Sequence, residues 1–297
     1  MSPINLSYII ATRNRLSFLK ITLEKLLSEL QPDEEIVVVD GDSTDGAKEY
    51  LQDLFEKNKI HQFISEPDRN QAHGWNKAML MARGRLIKKI IDDDVFCYKA
   101  IRKCKNYMLE HQDVDLCLSN SLGTALVNHT KIAVSSDLKH FENWKAGNIS
   151  SFPFSDAHTL IRRNSLSYLG VYDTQFKMMD WEYSLRVTYL GAKIAFYTGH
   201  NVLSVYTPGN VSSTATKEEL KTEGRIGKIK YSYNEGYEIS LYSHCKIFIG
   251  KAIFKLFRTR VIRTKLPIFE EKDIPAIYAE YYKVIDTYFS DTSSFIC

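Results

Sequence analysis

Short apolar runs alternate with helix-like patterns along the first 120 residues. Between the runs, apolar residues recur at three- and four-residue spacing, as in Leu16–Leu30 and Gln71–Ala82, which is typical of amphipathic helices. Strands that alternate with helices indicate βαβ units, so an α/β fold with a parallel sheet is predicted here. The predicted strands are Leu6–Ala11, Glu35–Asp40, Ile60–Ser65, Leu86–Ile91 and Asp115–Ser119.

The pattern changes after Asn120. Residues 121–155 are irregular and polar, which favours a loop region that faces a substrate. Beyond Pro208-Gly209-Asn210 the chain becomes helical, basic and rich in Tyr, so we predict one domain over 1–210 and a helical basic extension over 211–297. Between these regions the predicted elements are strands at His158–Arg162, Lys193–Tyr197 and Val202–Tyr206, and helices near Ser165–Leu169 and at Trp181–Tyr189.

Composition narrows the class of protein. The chain of 297 residues is 44% hydrophobic and 25% charged, which supplies enough apolar surface for a large core. Its net charge of +3 is nearly balanced, so no nucleic-acid partner is expected. Five Cys without a C-x-x-C spacing favour reduced thiols in a cytoplasmic protein. Neither the pattern of a signal peptide nor the roughly 18 apolar residues of a spanning helix is found.

Polar residues follow three of the predicted strands, at the edge where open α/β sheets bind ligands. On an extended segment the side chains of Asp92 and Asp94 leave the same face, so they are able to hold one cation between them. The alternative is that the triplet is an acidic start for a helix at Tyr98–Glu110. The three polar segments are Thr12-Arg13-Asn14-Arg15, Asp40-Gly41-Asp42-Ser43-Thr44-Asp45-Gly46 and Asp92-Asp93-Asp94.

The order of these segments resembles that of the inverting family 2 glycosyltransferases of the GT-A fold, over residues 4–213. Similar segments occur for the opening strand, the second strand with its turn, the donor loop with its helix, the acidic triplet and the acceptor-side helix. They are Ser7–Asn14, Ile36–Gly46, Ser65–Ala72 with Trp75–Ala78 and Ala82–Gly84, Asp92–Asp94, and Met179–Arg186 before Gly191.

The resemblance implies a GT-A, Rossmann-like, mostly parallel central sheet flanked by helices, to which the composition adds the C-terminal helical extension. It implies a nucleotide-diphosphate sugar as co-substrate and a divalent metal, Mn²⁺ or Mg²⁺. The implied reaction is transfer of a sugar, of hexosyl type and with inversion, to a hydroxyl of a glycan or lipid-linked glycan. Residues 1–210 would then be the nucleotide-sugar-binding and catalytic domain.

The resemblance also assigns donor-side residues. Asp40 and Arg69 are expected near the nucleotide base, Thr12 near the base or ribose, and Asp92 near the ribose or diphosphate. Asp94 is expected to be the main metal ligand, with Asp92 beside it. One departure is Gly41-Asp42, where the family more often has Asn-Gly or Asp-Gly, and this affects the expected base and ribose contacts. The donor-binding set is Thr12, Arg13, Asn14, Asp40, Asp68, Arg69, Asn76, Asp92 and Asp93.

Asp180 is the candidate general base, because it begins the segment that looks like the acceptor-side helix. The alternative is that Asp180 is the N-cap of the helix Trp181–Tyr189. Glu182 is the substitute candidate for the base. The ring of Trp181 is expected either to stack on an acceptor sugar or to close a core edge.

Two further residues have structural interpretations. Arg186 lies six positions after Asp180 and is expected to hold structure or to touch phosphate. His158, which follows Asp156-Ala157, is interpreted as a hydrogen-bonded histidine of the core or rim rather than a ligand.

A basic stretch without acidic residues spans 246–265. As a helix it would separate an apolar face from a basic face. This pattern favours binding to an anionic membrane surface on the cytoplasmic side, and the alternative is a solvated helix packed on the main domain. Its basic residues are Lys246, Lys251, Lys255, Arg258, Arg260, Arg263 and Lys265.

Two other functions fit parts of the sequence. Val37–Thr44 reads as an apolar strand followed by D-x-D-x-T, the signature of haloacid-dehalogenase-type phosphatases. A strand and a helix precede it, however, where that family places the motif on its first strand. The non-enzymatic alternative is a nucleotide-sugar-binding protein without turnover, and the joint presence of Asp92, Asp94 and Asp180 argues against it.

Overall fold

The computed structural model describes residues 3–126, 128–207, 216–233 and 271–297. In the first part of the chain, strands and helices alternate as predicted, with bounds that agree within two residues. These elements are β1 (Leu6–Thr12), α1 (Leu16–Glu29), β2 (Glu34–Asp40), α2 (Ala47–Glu56), β3 (Gln62–Ser65), α3 (Gln71–Met81) and β4 (Leu86–Lys89).

The later elements are less regular in order. They are β5 (Val95–Phe96), α4 (Tyr98–Glu110), β6 (Leu116–Ala125), β7 (Asn128–Ser135), α5 (Leu138–Lys145), β8 (Thr159–Arg162), α6 (Leu166–Leu169), α7 (Met179–Tyr189), β9 (Ile194–Tyr206), α8 (Lys217–Tyr231), α9 (Ile274–Thr287) and β10 (Phe295–Ile296).

The strands form one sheet in the order β10-β9-β6-β8-β4-β1-β2-β3, with β5 beside β9 and β7 beside β6. The four strands from β3 to β4 are parallel, and so are β6 and β9. Strand β8 runs antiparallel between β4 and β6 and joins the two parallel groups. The predicted α/β class with a mostly parallel central sheet is confirmed.

Both faces of the sheet are buried, which explains why the strands are continuous apolar runs. Ile10 and Val38 face the core that also contains α1, α4 and α9, whereas Ile9 and Val37 face the core beneath α3 and α7. Successive side chains of a strand point to opposite faces, so a strand covered by helices on both sides needs apolar residues throughout.

Two predictions for the second half of the chain were wrong. Residues 121–155 are not an irregular loop, because β6 continues to Ala125, β7 returns beside it, and α5 follows. The strands predicted separately at Lys193–Tyr197 and Val202–Tyr206 are one strand, β9. Shifts of register against β6 near Asn120 accommodate the Gly199-His200 segment that looked like a break.

The described parts of the C-terminal extension pack on the rest of the molecule. Helix α8 lies against α7, where the ring of Trp181 covers Gly227 so closely that a Cβ there would lie 2.4 Å from its Cη2 atom. Helix α9 lies against α1 and β5, and β10 pairs with β9. Trp181 therefore closes a core edge. Within the described ranges, no helix is both long and apolar enough to cross a bilayer. The basic stretch 246–265 lies outside the described residues.

Candidate active site

A cleft of about 740 Å³ lies at the carboxyl ends of β1 and β4, at the edge of the sheet where ligands were expected. Its wall also includes Met178 and Met179 at the start of α7, and Ser204 and Val205 at the end of β9. Most of the predicted site residues meet in this cleft. They are Thr12, Arg13, Asp68, Arg69, Asp92, Asp93, Asp94 and Asp180.

Asp92 is fixed by groups from the first strand and helix. The hydroxyl of Thr12 donates to Asp92 Oδ2 at 2.7 Å, and the hydroxyl of Thr22 donates to the Asp92 backbone oxygen at 2.7 Å. The Nε of Arg15 lies 3.5 Å from Asp92 Oδ1. Burial and repulsion from Asp93, opposed by Arg15, raise the pKa of Asp92 to about 6.

Asp93 is buried and is bonded through both its carboxylate and its backbone carbonyl. Its carboxylate accepts hydrogen bonds from Arg15 and from the hydroxyl of Thr207, and Arg15 Nη2 lies 3.0 Å from the Thr207 hydroxyl oxygen. The backbone carbonyl of Asp93 accepts a hydrogen bond of 2.6 Å from the hydroxyl of Tyr278 on α9. The turn is therefore tied to the start of α1, to the residue after β9 and to the C-terminal extension.

Asp94 points toward β9. Its Oδ1 accepts a hydrogen bond of 2.8 Å from the Val205 amide, and its Oδ2 lies at a longer 3.4 Å from the Ser204 hydroxyl. Burial and the neighbouring Asp93 hold the pKa of Asp94 well above its usual value. Ionisation of this side chain is thus disfavoured in its buried place, and a bound cation would favour the ionised form.

The triplet is not the start of a helix. Helix α4 begins at Tyr98 with Cys97 as its N-cap, and β5 separates this cap from Asp94. The first turn of α4 contains no acidic residue. The alternative of an acidic helix terminus is therefore wrong.

The other donor-side residues in the cleft come from β1 and from the loop before α3. Lys77 binds Asp68 Oδ1 at 2.7 Å and holds its carboxylate in place. A Cβ at Gly41 would lie 3.2 Å from Asp68 Oδ2 and 3.3 Å from the Arg13 side chain. A larger residue at position 41 would therefore require small shifts of the Asp68 and Arg13 side chains. Asp42 takes the left-handed conformation, with φ of 62°, which aspartate tolerates.

Asn14, Asp40 and Asn76 do not line the cleft. Asp40 is fully buried and accepts hydrogen bonds from the Ser43 amide at 3.0 Å and the Ser65 hydroxyl at 2.7 Å. The same loop is tied to Asn14, whose backbone N–H donates to Ser43 Oγ at 2.8 Å. Direct contact of these residues with the donor stays a prediction, and their observed contacts are structural. The buried Asp40 carboxylate also lacks the exposure that a phosphatase nucleophile needs.

Asn76 is similarly occupied by the backbone. Its side-chain nitrogen donates to the Tyr172 carbonyl at 2.8 Å, and its side-chain oxygen accepts from the Tyr172 amide at 2.8 Å. This pair of bonds joins α3 to the loop that precedes α7.

Asp180 lies in the first turn of α7 and is half-buried. Met178 occupies the N-cap position, so the alternative that Asp180 caps this helix is wrong. Burial and the nearby Asp156 carboxylate, opposed by Lys89, raise the pKa of Asp180 to about 6. A carboxylate with this pKa is ionised at neutral pH and is a stronger proton acceptor than an ordinary aspartate.

A buried ion pair beside Asp180 was not anticipated from the sequence. Lys89 Nζ lies 2.7 Å from Asp156 Oδ2 and 4.3 Å from the centre of the Trp75 ring. The Tyr172 hydroxyl donates to the same Asp156 oxygen at 2.5 Å. The signal available was Lys89 itself, since a lysine inside a buried apolar strand needs a polar or charged partner.

Three other residues considered earlier have structural roles. The Glu182 carboxylate is fully buried and is bonded to Arg186 at 2.9 Å and to the Tyr231 hydroxyl, which disfavours it as the substitute base. Arg186 also donates to the Val171 carbonyl at 2.7 Å. Burial and Lys88 lower the pKa of His158 to about 3, as suits a neutral core histidine.

The cleft offers two carboxylates to a cation rather than a complete cage. Within the described ranges, no group of three or more His, Cys, Asp or Glu side chains is placed to hold a metal ion. A divalent ion held by Asp92 and Asp94 would need phosphate oxygens and water to complete its coordination, which is the usual manner for Mg²⁺. The raised pKa values of both carboxylates fit such an ion.

Solved structures share this architecture. The chain is similar to S. aureus TarS 1–349 in complex with UDP-GlcNAc, with a TM-score of 0.61 and 16% identity over 91% of this chain and 78% of that one. It is also similar to the mannosyltransferase PcManGT from Pyrobaculum calidifontis in complex with GDP-Man and Mn²⁺, with a TM-score of 0.53 and 14% identity over 95% of this chain and 86% of that one. These similarities show the fold, and the predicted GT-A fold is confirmed.

Sequence relatives match a shorter segment. The chain is 30% identical over 106 residues to the putative teichuronic acid biosynthesis glycosyltransferase TuaG of Bacillus subtilis, which is 35% of this chain and 42% of that protein. It is 32% identical over 117 residues to the uncharacterized glycosyltransferase MJ1057 of Methanocaldococcus jannaschii, which is 38% of this chain and 40% of that protein. The chain thus matches about two fifths of each of these relatives.

The family assignment comes from a match over a longer range. The profile described as Glycosyl transferase family 2 matches residues 7–170, more than half of the chain. This range begins in β1 and includes the whole acidic triplet and the Lys89–Asp156 pair. On this match, together with the shared fold and the cleft, the chain belongs to glycosyl transferase family 2.

Proposed function

We propose that this protein transfers a sugar from a nucleotide-diphosphate sugar to an acceptor hydroxyl. The observation that carries the proposal is the meeting of Asp180 with the triplet Asp92–Asp94 in one cleft, although nearly ninety residues separate them in the sequence. Arg13 and Arg69 line the same cleft, and their guanidinium groups would complement a diphosphate. A cation-binding end and a proton-accepting end are what the reaction needs.

On the donor side, Asp94 and Asp92 would hold a divalent cation, Mn²⁺ or Mg²⁺. When bound, such an ion supplies electrostatic stabilisation of the charge that develops on the diphosphate. Thr12 and Arg15 keep Asp92 in position, and the Val205 amide does so for Asp94. These contacts fix the carboxylates before ligands arrive, which lowers the cost of organising the site.

On the acceptor side, Asp180 is proposed as the general base. Its carboxylate removes the proton of the attacking hydroxyl while that oxygen forms a bond to the anomeric carbon, and the bond to the diphosphate oxygen breaks. Attack opposite the leaving group inverts the anomeric centre. We therefore propose an inverting, hexosyl-type reaction.

The similar proteins suggest which ligands to test. TarS is named with UDP-GlcNAc and PcManGT with GDP-Man and Mn²⁺, so UDP- and GDP-hexoses are the proposed donor classes. TuaG is named for teichuronic acid biosynthesis, which supports an acceptor that is a growing glycan, free or lipid-linked. A role on the cytoplasmic membrane face, through the basic stretch 246–265, is part of this proposal.

The test has two stages. A thermal-shift screen of UDP- and GDP-sugars with and without MnCl₂ should find a donor that raises the melting temperature only with the metal. Transfer of the labelled sugar to glycan acceptors, with release of nucleoside diphosphate, is the expected result of the second stage. Binding without transfer or hydrolysis would support a non-catalytic protein instead, and phosphate release from simple phosphomonoesters would support a phosphatase.

A further inference from the structure

The loop of residues 170–178, which leads into α7, is held from the donor side of the cleft. Asn76 forms both of its hydrogen bonds to the backbone of Tyr172, and the side-chain nitrogen of Asn70 donates to the Thr174 carbonyl at 2.7 Å. Both asparagines belong to α3 or its N-cap. These bonds fix the first half of the loop to the element that follows the donor loop.

Helix α8 holds the second half of the same loop. The two carboxylate oxygens of Glu223 accept separate hydrogen bonds, one from the Lys177 amide at 2.7 Å and one from the Met178 amide at 2.9 Å. On the same helix, Glu219 lies 3.3 Å from Lys177 Nζ. Glu223 thus reaches the backbone immediately before Asp180 from a distance of more than forty residues in the sequence.

The position of these bonds matters because helix N-termini leave backbone N–H groups without partners. A capping side chain normally comes from the helix itself. At α7 the N-cap is Met178, whose side chain is apolar, and Glu223 on another helix accepts from the amide of this N-cap and from the amide of Lys177 just before it. Its negative charge also suits the positive end of the α7 dipole.

We propose that Glu223 is a positioning residue for Asp180, so that α8 sets the geometry of the proton-accepting end of the cleft. The inference rests on the proposed function of Asp180 as general base. Glu223 does not line the cleft, whose wall near this point is formed by Lys177, Met178, Met179 and Asp180. It therefore acts through the backbone and leaves the donor contacts unchanged.

Because the hydrogen bonds of Glu223 lie on the acceptor side, its substitution should lower turnover without changing donor binding. Misplacement of a reacting group by about 1 Å costs on the order of a hundredfold in rate, so Glu223→Ala should lower kcat by about ten- to a hundredfold. The donor KM should change by less than about twofold, because the groups around the nucleotide lie on β1, β4 and the loop before α3. Glu223→Gln keeps one acceptor of the two and should give an intermediate kcat.

The experiment compares Glu223→Ala and Glu223→Gln with Glu218→Gln, an exposed glutamate on the same helix. Steady-state kinetics are measured for each variant and also for Asp180→Asn and the Asp180→Asn/Glu223→Ala pair. If Glu223 acts through Asp180, the second change should alter the residual rate of Asp180→Asn by less than about twofold. An equal loss in both backgrounds would overturn the proposal.

A measurement that does not depend on enzymatic turnover is needed to test this inference independently of the proposed function. Hydrogen exchange of the full chain is followed by mass spectrometry for peptides that cover 170–182. Glu223→Ala should speed exchange at the Lys177 and Met178 amides by about fivefold or more, and Glu218→Gln should not. Unchanged exchange would overturn the positioning role even in an active enzyme. Faster exchange in a protein that transfers no sugar would leave the positioning role standing and remove the proposed function.

Discussion

Tyr278 donates a hydrogen bond of 2.6 Å to the backbone carbonyl of Asp93, although 185 residues separate the two in the sequence. Both groups are buried, and Tyr278 lies on α9, in the part of the chain that composition marks as an extension. The C-terminal region therefore helps to hold the backbone of the acidic turn in place. Its backbone geometry depends on residues that follow all of the recognised motifs.

Replacement of Tyr278 by Phe should destabilise the protein. The ring is kept, but the buried Asp93 carbonyl loses its donor, which typically costs about 1–3 kcal/mol. Urea unfolding curves would measure the free energy of unfolding. The control is Tyr288→Phe at the exposed end of the same helix, which should change it by less than about 0.5 kcal/mol. Equal stabilities for both variants would show that the bond contributes nothing.

Asp94→Ala should abolish the metal-dependent part of nucleotide binding and leave the fold intact. Asp94→Asn should do the same while it keeps an acceptor for the Val205 amide. Calorimetric titration of UDP or GDP with and without MnCl₂ checks this. The parent should bind at least about tenfold more tightly with the metal, and both variants should lose that difference. Asp113→Asn, an exposed pair partner of Lys193, is the control. A variant that still gained affinity from Mn²⁺ would exclude Asp94 as a ligand.

Asp180→Asn should lower transfer by about 10²–10⁴-fold, because a positioned proton acceptor contributes that much. Donor affinity should stay near that of the parent. Glu182→Gln is the informative comparison, since Glu182 is bonded to Arg186 and Tyr231 rather than exposed in the cleft. Its main effect should be lower stability, measured by thermal unfolding, with turnover per folded molecule largely kept. The opposite result would move the base to Glu182.

The pKa of Asp180, about 6, predicts two pH effects with different signs. Turnover needs the ionised form, so kcat should fall as pH drops below about 6. Because folding raises this pKa, the ionised side chain destabilises the fold above that pH, and the effect disappears as the carboxyl becomes protonated. Asp180→Asn should therefore raise the free energy of unfolding at pH 7.5 by about 1–3 kcal/mol, and by little at pH 4. A variant less stable than the parent at pH 7.5 would contradict this.

The basic stretch 246–265 predicts electrostatic attachment to anionic membranes. Charge reversal at Lys251, Lys255 and Arg258 should release the protein from vesicles that contain phosphatidylglycerol, since each cation near such a surface contributes about 1 kcal/mol. High salt should release the parent in the same way. Co-sedimentation measures both effects, with neutral phosphatidylcholine vesicles as the control. If the charge-reversed protein still bound the vesicles, the basic stretch would not be responsible for membrane binding.

The first part of the fold, from β1 to β4, was predictable from the spacing of apolar residues. In β1 to β4, apolar runs and helical repeats agree with the bounds found, because burial on both faces of a parallel sheet leaves a clear pattern. The hairpin of β6 and β7 was missed because its sequence has no clear apolar pattern. Residues such as Asn120 and Gly123 have weak strand propensity, and pairing with β9 on one side and β7 on the other overrides it.

The cleft was predictable only as far as motifs define it. Asp92, Asp94 and Asp180 follow from strand ends and the family resemblance. The supporting contacts of Glu223 and Tyr278 do not, because each joins elements far apart in the sequence and neither has a local spacing. Asn76 shows that a residue in a recognised motif need not line the cleft. It lies in a recognised segment, yet its amide binds the backbone of Tyr172 rather than facing the cleft.

The contact between Trp181 and Gly227 has a consequence for comparing homologues. Glycine inside a helix normally lowers stability by about 1 kcal/mol, but here any side chain would collide with the indole. The residues at positions 181 and 227 should therefore covary among homologues. In homologues that dock a helix equivalent to α8 on α7, a large aromatic at 181 should occur with glycine at 227, and a smaller residue at 181 should release that constraint. Covariation of this pair would identify the homologues that keep the docked helix.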